Sequence, residues 1–202
     1  MKSRLVILTG LIGALGLPAQ TSQMDLFSRA IALFGGRTVE PSQFPGTVEG
    51  FGKYLEAVGV RAVLASELTT PYHPGIAARL GFNAFLPPRE WWPRGAALAL
   101  LTERLNRAAG ERVAIRNWWR PAAYNQNPSV GGAKNGDHPT ANALDLDYSS
   151  GAARATAERA LRALDAEAPW LHLSLGLGPR TTHVGIGSLR GHREWHYAGW
   201  TP

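Results

Sequence analysis

The sequence predicts an α+β domain in which helices pack on an antiparallel sheet. Three observations carry this. Two long stretches, Ala96 to Ala109 and Ala152 to Ala166, repeat apolar residues at helical spacing. Five short stretches read as strands: Val113 to Trp118, Ala143 to Tyr148, Leu171 to Leu177, Thr182 to Gly187 and Arg193 to Tyr197. The composition, 45% hydrophobic and 18% charged over 202 residues, is that of a folded chain long enough for one core.

The elements follow in order. Lys2 and Arg4, the apolar run Leu5 to Leu17 and the small-residue region Pro18-Ala19-Gln20 have the layout of an export signal, or of an N-terminal anchor, over residues 1–23. The apolar run is shorter than the roughly twenty residues a membrane span needs. Gly10, Gly13 and Gly16 also permit a docking helix with a small-residue ridge. An N-terminal extension over 24–65 holds an amphipathic piece, Met24 to Phe34, ended by Gly35-Gly36, and a short helix, Phe51 to Val58. The main domain, 66–202, begins with a break at Tyr72-His73-Pro74 and a short helix from Pro74 to Leu80, stopped by Gly81. Leu86 to Gly95 reads as a loop rich in Pro and Trp. In the helix that follows, Leu98, Leu100, Leu101 and Leu105 form the apolar stripe, and Gly110 ends it. Ser149 or Ser150 can cap the second long helix.

Chemistry concentrates in Gly136-Asp137-His138-Pro139-Thr140-Ala141-Asn142-Ala143-Leu144-Asp145-Leu146-Asp147. On a strand, Leu144, Leu146 and Tyr148 point into a core, while Ala143, Asp145 and Asp147 point the other way. Carboxylates on one face of an apolar strand are costly unless a cation sits among them, or unless that face meets solvent. Imidazole with carboxylate suits zinc. The chain has no cysteine, so neither a disulfide nor a thiolate metal site is open to it.

Around this run stand Ser66-Glu67-Leu68, Leu86-Pro87-Pro88, the strand Val113 to Trp118 leading to Trp119-Arg120-Pro121, then Tyr124-Asn125 and Val130-Gly131-Gly132-Ala133-Lys134. The ordered set resembles the zinc D-alanyl-D-alanine carboxypeptidases and their phage endolysin and murein-endopeptidase relatives, over roughly Ser66 to Trp195. That family shares its fold with lysostaphin-type peptidases and the hedgehog signalling domain. Gly136 stands where the family has Ser, and Ala141 where it has Gly. The resemblance implies zinc held by His138 and Asp145 together with a third histidine from a later strand. Two candidates compete: His183, in Thr182-His183-Val184-Gly185, where Gly185 replaces the usual aspartate, and His196, in Glu194-Trp195-His196-Tyr197. The longer flanking match favours His183. Relatives commonly carry an acid three residues before this histidine; here those positions are Arg180 and Arg193, neither of which accepts a proton. Glu194, with His196 as substitute, is therefore expected as general base, and Arg120 as the group that binds substrate and steadies oxyanion charge.

The implied function is a zinc metallopeptidase of D,D-carboxypeptidase or endopeptidase type, acting on peptidoglycan stem peptides. The alternative is a catalytically inactive murein- or protein-binding module on the same scaffold, such as a phage or virion component. The net charge of +6 comes from scattered arginines. No basic run interleaved with aromatics suggests nucleic acid, whereas a diffuse positive field suits an anionic polymer. An exported or phage-associated location, transient membrane contact through the N-terminus and membership of a larger assembly are the remaining expectations. Trp91, Trp92, Trp118 and Trp119 are expected to pack rather than to act, and His73 and His172 are expected to be ordinary half-buried polar residues on the sheet.

Overall fold

The computed structural model describes residues 23–201; the expected export signal lies outside them but for Gln23. The fold is α+β: seven α-helices and a five-stranded mixed sheet among the described residues. The helices are α1 (Gln23–Leu33), α2 (Val48–Val58), α3 (Ala65–Thr69), α4 (Pro74–Arg79), α5 (Trp92–Ala109), α6 (Ala122–Asn125) and α7 (Gly151–Glu167). The strands are β1 (Ala114–Asn117), β2 (Ala143–Asp147), β3 (Ser174–Leu177), β4 (Thr181–Gly185) and β5 (Arg193–His196), in spatial order β1-β2-β4-β3-β5. No described helix is long and apolar enough to cross a membrane.

The sheet departs from the antiparallel expectation at one edge. Strands β1, β2, β4 and β3 pair antiparallel, but β5 runs parallel to β3. The chain leaving β4 turns at Gly187, φ +67°, and passes β3 before pairing on its far side. That reversal makes β5 antiparallel to β4 and hence parallel to the strand between them.

One sheet face is apolar and buries Leu144, Leu146, Val184, Leu175 and Leu177 against the helices. Helix α5 is the spine of this layer, since Ala96 to Thr102 are all buried. Phe27 and Ile31 of α1 and Phe51, Tyr54 and Leu55 of α2 belong to the same core, so the segment expected as an extension is built into it.

Helix α5 begins at Trp92, inside the stretch expected to be loop. Pro93 in its first turn lacks only a donor that would have no partner there, and its fixed φ suits a helix start. Gly95 persists in the helix because the Trp118 ring fills its place: a Cβ there would come within 2.5 Å of that ring. The expected strand from Leu171 starts only at Ser174. Pro169–Leu171 instead forms a 3-10 turn that ends at His172 with φ +46°. Ser150 is the cap of α7, its side chain accepting from the Ala153 amide at 3.1 Å. Helices α3 and α6, at five and four residues, are too short to leave a readable apolar period.

Candidate metal centre

The polar face of the sheet carries the site. Strand register aligns Asn117, Asp145, His183, Gly176 and Trp195 in one row across all five strands. Gly176 is the open step in that row: a Cβ on it would lie 2.5 Å from the Trp195 ring, which lies across β3 with its centroid 5.2 Å from that of His183. His138 reaches the row from a 3-10 turn, His138–Thr140, just ahead of β2.

That turn is held from three sides. Trp118 Nε1 donates to the Ala141 carbonyl at 2.9 Å, Trp119 Nε1 donates to Pro139 at 3.2 Å, and Arg94 of α5 donates to Thr140 and to the Asn142 side chain. Ala141 closes it at φ +58°, left-handed backbone that glycine adopts freely and that costs another residue about 1 kcal/mol or more. The pattern that the sequence resembles has glycine at this position, which this backbone would accept without strain.

Three donor atoms meet at the cluster. His138 Nε2 lies 3.1 Å from Asp145 Oδ1 and 3.2 Å from His183 Nδ1, and His183 Nδ1 lies 3.1 Å from the same Asp145 oxygen. Ligand atoms about 2.0–2.1 Å from a tetrahedral ion stand about 3.3 Å apart, so this near-equilateral triangle has the required size. The protonation pattern fits as well. His138 Nδ1 faces the Trp118 carbonyl at 2.7 Å; only an N–H can satisfy that oxygen, so Nδ1 donates and Nε2 keeps its lone pair for the cluster. Asp145 divides its oxygens, giving Oδ1 to the histidines and Oδ2 to an ion pair with Arg120. His138, Asp145 and His183 could therefore hold a metal ion.

Asp137 stands behind His183. Its Oδ2 lies 3.7 Å from His183 Nε2 and accepts from Ser174 Oγ and Arg193, each at 2.7 Å, while Ser188 Oγ donates to Oδ1 at 3.2 Å. An imidazole whose Nε2 faces a carboxylate is biased to carry its proton there and to present Nδ1 to a metal.

The electrostatics are those of a loaded trap. Burial, with Arg120 and His183 adding to it, lowers the His138 pKa despite Asp145 and so favours its neutral form. Burial also disfavours charge on His183, but the Asp137 and Asp145 carboxylates outweigh it and its pKa is raised. Burial would raise Asp145; the two histidines and Arg120 hold it well below the usual carboxylate range. Asp137 is likewise held down against burial by His183, Ser174 and Arg193.

Of the residues expected from sequence, His138, Asp145, His183 and Arg120 converge in one cavity of 330 Å³. Glu194 and His196 do not. In β5 the side chains alternate, so Arg193, Trp195 and Tyr197 line the cavity while Glu194 and His196 point to the other face. There Glu194 pairs with Arg162 of α7 at 2.8 Å, and His196 lies 3.3 Å from Glu194 and stacks on Trp200. Their proposed acid–base roles are therefore corrected on geometry. Arg180 sits exposed at the β3–β4 turn, and His192 pairs with Asp165. Glu67 has a structural part, capping the Leu64 amide and pairing with Arg112. Trp92 and Trp118 are core residues, and none of Trp91, Trp92, Trp118, Trp119, His73 and His172 lines the cavity.

Asp137, Ser174, Arg190, Arg193, Trp195 and Tyr197 were not singled out as site residues beforehand. Alternation through Arg193-Glu194-Trp195-His196-Tyr197 groups Arg193, Trp195 and Tyr197 on one face, and the pairing of Trp195 with Gly176 turns that face to the site. The Asn125 and Gly-Gly-Ala elements are also explained. Asn125 Nδ2 donates to the Ala133 carbonyl at 2.8 Å, and Gly132 packs so closely on Asn125 that a Cβ would overlap its side chain. Together they form the cavity wall opposite the sheet. Compared with protein-family models, curated proteins and solved structures, the chain matches none.

Proposed function

We propose that this chain is a zinc-dependent peptidase that hydrolyses peptide bonds in bacterial cell-wall stem peptides, exported or carried by a phage, on a scaffold related to the D-alanyl-D-alanine peptidases and the hedgehog domain. The observation that carries the reading is the triangle of His138 Nε2, Asp145 Oδ1 and His183 Nδ1, opening into a cavity lined by Arg120, Arg190 and Arg193. The order of strand, arginine turn, asparagine, Gly-Gly-Ala and His-x6-Asp supports the family likeness.

Bound zinc supplies Lewis acidity and lowers the pKa of a coordinated water to about 7. The chain supplies the rest. Arg120 pairs with Asp145 and lines the cavity, so it can take up charge that develops on a substrate carbonyl. Tyr197 lines the same cavity, and its phenol, protonated at neutral pH, is a donor for a developing oxyanion. Arg190 and Arg193 receive substrate carboxylates.

The second reading, a metal-anchored module that binds murein without cutting it, is favoured by one observation. Among the described residues the carboxylates lining the cavity are Asp137 and Asp145, and both are held in ion pairs. Digestion of purified murein by the zinc-loaded full chain separates the two. New amino termini, absent with His138→Ala, are expected from the peptidase. Sedimentation with murein and no cleavage, from a folded and zinc-loaded chain, would establish the binding module.

A further inference from the structure

We propose that Arg154 of α7 is a positioning residue: its buried guanidinium ties the β3–β4 turn to the segment after β5 and so holds Tyr197 in the metal cavity. This rests on the reading of Tyr197 as an oxyanion donor given above.

Arg154 and Glu158 stand one turn apart on α7, with side chains 4% and 3% exposed. Neither lines the metal cavity. A buried charge pair is weak ground for stability, since an apolar pair of similar volume often serves as well or better. What this pair holds is more informative. Arg154 Nη1 donates to the Gly178 carbonyl at 3.0 Å, and Nη2 donates to the Thr201 carbonyl at 2.6 Å. Its Nε faces Glu158 Oε1 at 3.7 Å, beyond hydrogen-bond reach, so the guanidinium spends its hydrogen bonds on the two carbonyls. Glu158 Oε2 in turn accepts from Trp200 Nε1 at 3.3 Å, and the Trp200 ring stacks on His196 with centroids 3.9 Å apart.

Tyr197 lies between the two held points. Its amide donates to the Leu177 carbonyl at 2.7 Å, and its own carbonyl accepts from the Trp200 amide at 3.2 Å. Its ring packs on Gly178, where a Cβ would come within 3.5 Å of it. Gly178 and Tyr197 line a cavity of 360 Å³ that also touches Asp145, and Tyr197 lines the cavity of the cluster as well. Among the described residues no helix or strand follows β5, and a segment beyond the last strand frays unless it is tied down. The clasp supplies the tie. An arginine fork reaches both carbonyls from fixed directions, whereas a lysine ammonium keeps the charge and loses the fork. Misplacing a reacting-centre donor by about 1 Å can cost on the order of a hundredfold in rate.

The test uses the full chain labelled with 3-fluorotyrosine and loaded with cobalt(II), the Tyr197 signal being the one missing in Tyr197→Phe. Arg154→Met alone would leave Glu158 buried without its partner, so the informative variant is Arg154→Met with Glu158→Leu, which keeps the volume and removes both charges. Full cobalt content, an unchanged circular dichroism spectrum and loss of most of the cobalt-induced shift of the Tyr197 signal are expected, with part of that shift retained in Arg154→Lys. A shift equal to that of the parent chain in the double variant overturns the proposal. Loss of cobalt along with the shift also overturns it, because the pair would then support the whole site. In murein digestion by the zinc-loaded chain, the double variant is expected to lower kcat by about tenfold with KM unchanged, and to lower it no further once Tyr197 is Phe. Losses that multiply would count against the proposal. A parent chain that cuts no murein sinks the peptidase reading alone, since the cobalt-induced shift still decides whether Arg154 places Tyr197.

Discussion

Replacing Asp137 by Asn tests whether the carboxylate behind His183 sets the metal affinity. The side chain keeps its shape and loses its charge. In the native site Asp137 Oδ2 accepts from Ser174 and Arg193 at 2.7 Å and lies 3.7 Å from His183 Nε2. An amide oxygen can still accept one of these donors, but it cannot anchor the imidazole N–H as an anion does, and the amide NH2 turns a donor toward donors. Loss of a carboxylate that orients a metal-ligating histidine typically costs ten- to a hundredfold in affinity, about 1.4–2.7 kcal/mol. Competition against a chromophoric chelator at neutral pH measures this directly. A second readout separates positioning from packing. With the anion gone, the His183 pKa in metal-free protein should fall toward or below the ordinary imidazole range, visible by NMR of the ring protons, because burial is then opposed by Asp145 alone. Unchanged metal affinity together with an unchanged His183 titration would refute the reasoning and leave Asp137 as an anchor for Arg193 only.

Four further outcomes are expected. His138→Ala, Asp145→Ala and His183→Ala should each abolish stoichiometric metal by elemental analysis, while His196→Ala keeps it; metal lost with His196 instead of His183 would overturn the assignment. Glu194→Gln should leave metal content unchanged and cost no more than about 1 kcal/mol by denaturant titration, the scale of a surface ion pair with Arg162. In metal-free protein the raised His183 pKa stabilises the fold fully below pH 6.5, and that contribution disappears as pH rises through the raised value. The rise in Tm on adding zinc should therefore grow between about pH 6 and 8, and an equal rise at both ends would contradict it. Gly185→Ala should cost about 1–3 kcal/mol by thermal melts, since its Cβ would overlap Ser174 Oγ, and Ser174→Ala in the same chain should relieve part of that cost.

Much of this was legible in the sequence because the site is built on regular alternation. Leu144 and Leu146 buried on one side, with Asp145 exposed to the cavity on the other, follow from the period of a strand. The α5 stripe was legible for the same reason, since Leu98, Leu101 and Leu105 are fully buried. What escaped had no period to read. The parallel placement of β5 depends on where a loop crosses, and Gly187 marks the turn without revealing its destination. Glu194 was chosen because it is the tail's carboxylate, a chemical argument; its face is a geometric matter, decided by the pairing of Trp195 with Gly176. The role of Asp137 leaves no local signal, because its partners Ser174, Ser188 and Arg193 lie 37, 51 and 56 positions away.

The space around residue 185 bears on why glycine stands there. The zinc D-alanyl-D-alanine peptidase pattern that the sequence resembles has an aspartate directly after the His-Val pair, where this chain has Gly185. A Cβ at Gly185 would overlap Ser174 Oγ and lie 3.3 Å from Asp137 Oδ2, so the volume beside the third ligand is already taken. A carboxylate still faces His183 Nε2, but it arrives from position 137, one residue before the first ligand, with Arg193 to neutralise it and two serines to hold it. A side chain larger than hydrogen at 185 competes for the place of Ser174 Oγ, which donates to Asp137. The glycine thus makes room for Ser174, which with Ser188 and Arg193 satisfies the buried Asp137 carboxylate and leaves it facing His183 Nε2.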